Sequence, residues 1–407
     1  MFESETLGIK VVEGNPKTLA GPEFLSVAEA RAARRFHMTV KGYEATPLAA
    51  LPTLAKRLGV KGVFVKDESY RFGLNAFKVL GGSYAIAKVV CQKLGRRLED
   101  TSFDELRSPE VQAKIKDVTF TTATDGNHGR GVAWAAAQLG VKAVIYLPKG
   151  SAQRRVDAIL ETGQEAHVLD VNYDDAVRYS LARAQENGWT IIQDTAWEGY
   201  DDIPRWIMQG YATMADEASD QLRLFGVERP THVFLQAGVG SMSGAVAGYF
   251  VNQFPACPPK TVVVEPENAA CIFLSAQLGD GEPHNVGGDL QTVMAGLACG
   301  EPNPIGWEIL RDFSTSFVSC PDYVAGRGVR LLANPLPGDT RVTSGESGAV
   351  GPGLLSLLME RPELDAARRQ MGLDETSVVL FFSTEGDTDP VSFRRVLWDG
   401  LYPVPAA

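Results

Sequence analysis

Three short stretches carry residue types whose spacing suits chemistry rather than packing. Lys78 stands in Asn75-Ala76-Phe77-Lys78-Val79-Leu80-Gly81-Gly82, where Asn75 is expected to cap a helix running through Ser83 to Val90 and to set the lysine in its first turn. A cation there opposes the helix dipole, and partial burial adds to the effect; both favour the neutral amine that condenses with a carbonyl. The second stretch is Ala123-Thr124-Asp125-Gly126-Asn127-His128-Gly129-Arg130-Gly131. Three glycines around an amide and a carboxylate make a turn able to press on a flat ligand. The third, Ala237-Gly238-Val239-Gly240-Ser241-Met242-Ser243-Gly244, lets backbone N–H groups and a helix N-terminus meet an anion. Taken singly, a lysine is ordinarily solvated, a histidine a structural hydrogen bonder and a glycine-rich turn tight packing. The combination is what is specific.

The elements around these stretches must bring them together. From about Lys61 onward, short β-branched runs alternate with helical patterns, as in parallel strands joined by crossover helices. Strands are expected at 118–122, 142–147, 167–171 and 189–193, with helices at 130–139, 151–161 and 173–187 between them, giving a compact unit over about 85–200. A second series follows, with strands at 232–236, 261–265 and 377–382 and a helix at 243–252. Both read as open sheets, whose ligands lie beyond the carboxyl ends of the strands. The turn after 118–122 and the loop after 232–236 stand at such ends. The expected organisation is a large domain of residues 1–84 plus 201–407 and a small one of 85–200.

Composition bounds the function from outside. The 407 residues are too many for one ordinary core. A formal charge of −11 is the wrong sign for nucleic acid or anionic lipid, so an anionic ligand needs a locally built site. Cysteines 91, 257, 271, 299 and 320 include no C-x-x-C pair, which suggests reduced thiols and a cytoplasmic protein. The acidic N-terminus does not read as a signal peptide, and no apolar run reaches the roughly 18 residues of a membrane helix. No metal-ligand set is assigned.

With Lys78, the Asp125–Gly131 turn and the Gly238–Gly244 loop in this order, the chain resembles the fold-type II pyridoxal phosphate enzymes. That resemblance implies two open, mostly parallel-sheet α/β domains with the active site between them, and pyridoxal 5'-phosphate as cofactor. It implies that Lys78 forms the Schiff base, that Asn127 meets the cofactor ring, and that Gly238, Val239, Gly240, Ser241 and Met242 hold the phosphate. A hydroxyl after the last strand, Ser383 or Thr384, is expected opposite the pyridine nitrogen. Neutral contact there leaves the nitrogen largely unprotonated, which suits β-elimination. A homodimer is common among such enzymes.

Two departures narrow the resemblance. A carboxylate, Asp125, stands where the dehydratases of the family carry a hydroxyl, and Asp194 lies in Gln193-Asp194-Thr195-Ala196-Trp197-Glu198-Gly199-Tyr200. Together with S-G-E-S-G-A around Glu346 and S-T-E-G-D-T-D from Ser383, these runs resemble the diaminopropionate ammonia-lyase branch. The implied reaction is α,β-elimination of D- or L-2,3-diaminopropionate to pyruvate and two ammonia by way of an aminoacrylate. Amines leave only when protonated, which gives Asp125 and Asp194 a task as acid, base or ammonium holder. Thr124, His128 and Glu346 are weaker pocket candidates. Three other readings stay open: a serine or threonine dehydratase of the same fold, an inactive amino-acid sensor on this scaffold, and a nicotinamide-dependent dehydrogenase. The last rests on the Gly238 loop and on Glu265 at the end of the next strand. Its glycines, G-x-G-x-x-x-G, are one residue too long for that fingerprint.

The lysine assignment has a direct test. The purified protein loaded with cofactor should absorb in the violet and bleach with borohydride, and peptide mapping should then find the label on Lys78. A label on Lys88 instead overturns the assignment.

Overall fold

The computed structural model describes residues 1–124 and 126–405. Among them are twelve strands, numbered in chain order: β1 (Phe2–Ser4), β2 (Ile9–Glu13), β3 (Leu48–Ala50), β4 (Gly62–Asp67), β5 (Thr119–Ala123), β6 (Lys142–Leu147), β7 (Glu165–Val168), β8 (Thr190–Ile191), β9 (His232–Gln236), β10 (Lys260–Pro266), β11 (Ser314–Cys320) and β12 (Val378–Ser383). Eight form one sheet in the order β1-β2-β11-β10-β9-β12-β4-β3, and four form another in the order β7-β6-β5-β8. The small sheet is wholly parallel. In the large one the run from β11 to β4 is parallel, and antiparallel strands close both edges. The continuous apolar runs of β9, β10 and β12 follow from this, because helices cover both faces of a parallel sheet.

Helix α1 (Val79–Leu94) joins the two sheets. It packs against α2 (Asn127–Leu139) on the small-sheet side, and on the large-sheet side against a longer helix, Asp202–Leu224. Glycines set the approach. A Cβ on Gly131 would stand 2.8 Å from the Val79 Cα, and one on Gly210 2.4 Å from the Leu80 carbonyl oxygen. The first turns of α2 therefore lie directly against the lysine segment.

Three sequence expectations are corrected. Asn75 does not cap α1: its φ is +58°, in the left-handed region, its amide reaches Asp387 at 3.3 Å, and Lys78 itself is the residue before the helix. β7 covers 165–168 and not 167–171; beyond it the segment stays tied to the end of β6 by Leu169 N to Leu147 O at 2.8 Å and Lys149 N to Val171 O at 2.9 Å, outside the regular strand. β8 keeps only two residues of 189–193. There the Gln193 side chain replaces the backbone, its Oε1 accepting from Ala123 N at 3.0 Å and Thr122 Oγ1 at 2.9 Å.

Ahead of the lysine segment, charges are buried rather than solvated. Lys66, Glu68, Arg71 and Glu217 have fully buried side chains. Arg71 is bidentate to Glu217, at 2.9 and 2.7 Å, and meets Glu68 at 2.8 and 2.9 Å, while Lys66 Nζ lies 2.7 Å from Glu217. Burial pushes the Glu217 carboxyl upward, but Arg71 and Lys66 hold it below the usual carboxylate range. Removing one partner strands a buried charge. Glu217→Ala should therefore cost about 3–5 kcal/mol in chemical unfolding, without any change of substrate preference in whatever folded enzyme remains.

Candidate active site

The site forms where the carboxyl ends of β5 and β8 face those of β9 and β12. One cleft is lined by Lys78, Asn127, Tyr173, Asp194, the loop from Gln236 to Ser243, Ser347, Thr384 and Glu385, with Gly296, Leu297 and Cys299 on a covering segment. The fold thus brings Lys78, Asn127, Asp194, Gly238–Met242 and Thr384 into one space. Asp125 lies outside the described residues.

Lys78, itself half-buried, donates to the buried Asp194 Oδ2 as an ion pair, and its Nζ lies 5.7 Å from the centre of the Phe77 ring and 5.9 Å from that of Tyr211. The expectation of a neutral amine runs against the opposing charge of Asp194, which favours the ammonium form. Burial opposes ionisation of Asp194, yet the Lys78 charge and His128 hold its carboxyl well below the usual carboxylate range. Its other oxygen, Oδ1, accepts from Tyr173 Oη at 3.3 Å and Gln193 Nε2 at 3.3 Å. The Asp194 carbonyl accepts from Ser241 Oγ, whose own lone pair takes Asn303 Nδ2 at 2.7 Å. The acid is held at both its backbone and its side chain.

β9 runs straight into the helix α3 (Ser241–Gln253), which follows α2 in the labelling used here, and Gly240 precedes it at φ +94° with no side chain to cap it. The first N–H groups of α3 have no intrahelical acceptor. A Cβ on Gly238 would stand 3.3 Å from Cys299 Sγ, Gly296 O and Leu297 Cα, so only bare backbone leaves this cradle open. An uncapped helix end with the positive pole of its dipole facing a closed, glycine-walled recess fits a phosphate group. All five cysteines are free thiols.

The other candidates are placed around the cleft. Thr124 Oγ1 accepts from Gly126 N and Gly129 N, both at 2.9 Å, and so shapes the turn from within. His128 is buried behind Asp194, with Nε2 donating to Ile192 O at 2.6 Å and Nδ1 4.0 Å from Asp194 Oδ2. Ser383 is turned away, its Oγ donating to Glu385 O at 3.4 Å, whereas Thr384 lines the cleft and accepts from Gln236 Nε2 at 2.9 Å. Glu346 does not line the cleft; it opens the helix α4 (Glu346–Glu360), accepts from Ser392 Oγ at 2.8 Å, and leaves its neighbour Ser347 at the wall. Glu265 is fully buried and accepts from Ile272 N at 2.9 Å and Phe273 N at 2.6 Å. It caps a helix and does not face a ribose site, which removes the main support for a dehydrogenase. Sequence reasoning missed Tyr173, Gln236 and Glu385. Position at or just beyond the carboxyl end of a strand was a signal for the last two; nothing in its surroundings marked Tyr173, at the start of a surface helix.

A flat-ligand turn, a lysine and a phosphate cradle facing one cleft between two parallel sheets define a fold-type II pyridoxal phosphate enzyme. The chain belongs to the pyridoxal-phosphate dependent enzyme family, which matches residues 40–373. It is 55% identical over 379 residues to the diaminopropionate ammonia-lyase of Escherichia coli strain K12, covering 93% of this chain and 94% of that protein. A crystal structure of the Escherichia coli enzyme with an aminoacrylate-PLP azomethine reaction intermediate is similar at a TM-score of 0.90 and 51% identity, over 98% of this chain and 99% of that one. The same enzyme in complex with D-serine gives 0.92 at 51% identity and the same coverage.

Glu346 makes the region sensitive to pH. Burial raises its carboxyl from 4.5 to about 7, despite the hydrogen bond from Ser392. Below pH 4.5 the group is neutral in both folded and unfolded chains; as pH rises, the unfolded chain releases a proton that the folded one keeps, so stability falls until about 7. Glu346→Gln lacks that slope. Urea midpoints at pH 4.5 and 7 should show the wild type losing roughly 3 kcal/mol more than the variant.

Proposed function

We propose that this chain is a diaminopropionate ammonia-lyase, eliminating ammonia from D- and L-2,3-diaminopropionate to yield pyruvate and two ammonia. The observation that carries the reading is Asp194, a buried carboxylate at the cleft that already holds one ammonium. A hydroxy amino acid has no second ammonium to place there; a diamine does. The close similarity to enzymes of that activity supports the same substrate class. We take residues 85–200 as the small domain, 1–84 with 201–407 as the large one, and a homodimer as the working assembly. Among the described residues no helix is long and apolar enough to cross a membrane.

The residues divide the work as follows. Gly238 through Met242 and the N-terminus of α3 take the cofactor phosphate, Asn127 its ring, Thr384 its pyridine nitrogen, and Lys78 its carbonyl carbon. When bound, the cofactor supplies an electron sink for the pair left on Cα. Lys78 serves as base for the Cα proton of one antipode, and Asp125 for that of the other. Asp194 anchors the β-ammonium and so keeps the leaving amine protonated, with Tyr173 and the backbone contact to Ser241 holding the carboxylate in place. Water is kept out by the segment carrying Leu297 and Cys299.

D-Serine bound to a relative makes a hydroxy amino acid the second reading, and the product ratio separates them. Ammonia and pyruvate should appear at two to one from diaminopropionate; turnover confined to serine or threonine, at one to one, overturns the proposal. Asp125→Asn should lower kcat/KM on the D isomer by roughly 10² or more while sparing the L isomer. Asp194→Ala should impair both. Equal losses on D and L for Asp125→Asn would assign that residue to positioning, and a wild-type enzyme inert to the D isomer would defeat the two-base scheme.

A further inference from the structure

Glu385 stands two residues beyond β12, with a side chain that is buried at the cleft wall. One of its oxygens, Oε2, accepts from Asn127 Nδ2 at 2.6 Å and Thr388 Oγ1 at 2.7 Å, and Arg155 Nη2 stands 3.7 Å from it as an ion-pair partner. Asn127 and Arg155 come from helices over the small sheet, at Asn127–Leu139 and Gln153–Leu160; Glu385 and Thr388 come from the loop after the large sheet's β12. The two halves of the molecule therefore meet at one carboxylate oxygen beside the lysine.

We propose that Glu385 is a positioning residue for the cofactor: it fixes which end of the Asn127 amide is presented to the cleft, and does so only while the two sheets are docked. The inference rests on the reading that Asn127 touches the cofactor ring. An ionised carboxylate only accepts hydrogen bonds, so the amide must meet it with Nδ2. One N–H is thereby committed to Glu385, and the second N–H, with Oδ1, is left in a fixed direction for a ligand. Without that acceptor a primary amide has two nearly isosteric orientations, of which one turns its carbonyl where the N–H should be. Arg155 Nη2 also lies 3.4 Å from Thr388 Oγ1, so withdrawal of the small-sheet helices removes Arg155 and Asn127 from Glu385 together. Seating of the cofactor ring is in this way linked to closure of the cleft.

Glu385→Gln tests this, because a carboxamide of the same shape offers either a donor or an acceptor and no longer dictates the orientation. Apo-protein would be reloaded with pyridoxal 5'-phosphate, its Kd read by equilibrium dialysis and the seating of the ring by visible circular dichroism, for Glu385→Gln, Asn127→Ala and the double variant. Glu385→Gln should weaken binding about three- to tenfold and alter the visible band, with the apo-protein's melting temperature unchanged. The double variant should bind within about twofold of Asn127→Ala alone, because a residue acting through Asn127 has nothing to add once the amide is gone. Thr388→Val, which removes one donor from the same oxygen, should weaken binding about twofold in the parent and not at all beside Asn127→Ala. It carries the test if Glu385→Gln does not fold. Fully additive losses, or an unchanged Kd and band in Glu385→Gln, overturn the proposal alone. An Asn127→Ala variant with unchanged Kd overturns both it and the ring contact on which it rests.

Discussion

The arrangement turns on the ion pair between Lys78 and Asp194, a cation leading into α1 and an anion just beyond β8. Neither charge is affordable alone in a site whose carboxylate is 2% exposed. Their backbones belong to segments anchored on different sheets, so the pair forms only if both sheets are in register with one another. On the lysine side the constraint passes through the buried Arg71, Glu68, Glu217 and Lys66 cluster, which fixes the chain ahead of residues 74–78. On the aspartate side it passes through Gln193, which closes the end of the small sheet, and Ser241, which ties Asp194 to the phosphate cradle. Displacing any of these moves one charge away from the other.

A net charge of −11 makes the binding of an anionic cofactor a local problem. Among the described residues that line the cleft Lys78 is the one basic side chain, and it is paired with Asp194; at Gly238–Met242 backbone N–H groups and the helix dipole supply the field. Such partial charges are fixed in direction and need no counter-ion when the site stands empty. The cost is steric: the loop requires a residue at φ +94° and another where an added Cβ would press within 3.3 Å of three neighbours, which suits glycine at both.

Much of the site was legible because parallel sheets place ligands at strand ends, and strand ends can be read from β-branched runs. β6 and β9 fell where their runs did, and the turn and the loop after β5 and β9 came to one cleft. What was illegible depended on contacts distant in sequence. Asn75 has the residue type of a helix cap, but its left-handed backbone and its contact with Asp387 come from the packing of a loop over 300 residues away. Four charges in Lys66–Arg71 look like a solvated turn until Glu217 arrives to bury them. The choice between Ser383 and Thr384 is a matter of strand phase: successive side chains of β12 alternate, and its register with β4 and β9 sets which of the two meets the cleft. Glu385 escaped notice because its role lies in what it accepts from the other sheet.

The same pair also explains why an acid, and not a hydroxyl, suits this pocket. On the proposed reading, a Lys78 engaged at the cofactor would leave Asp194 without the ammonium that balances it, a buried carboxylate with Tyr173 and Gln193 on Oδ1 and His128 behind it. That state is costly, and the substrate able to relieve it is one that brings a second ammonium. A hydroxyl in the β position restores at most a neutral hydrogen bond. The pocket so holds one carboxylate against one ammonium before and after the substrate arrives, and the energy of restoring the pair is available to hold the leaving nitrogen protonated at the moment its bond to carbon breaks. On the proposed reading, selectivity for the diamine and assistance to its departure have a single source, the charge of Asp194.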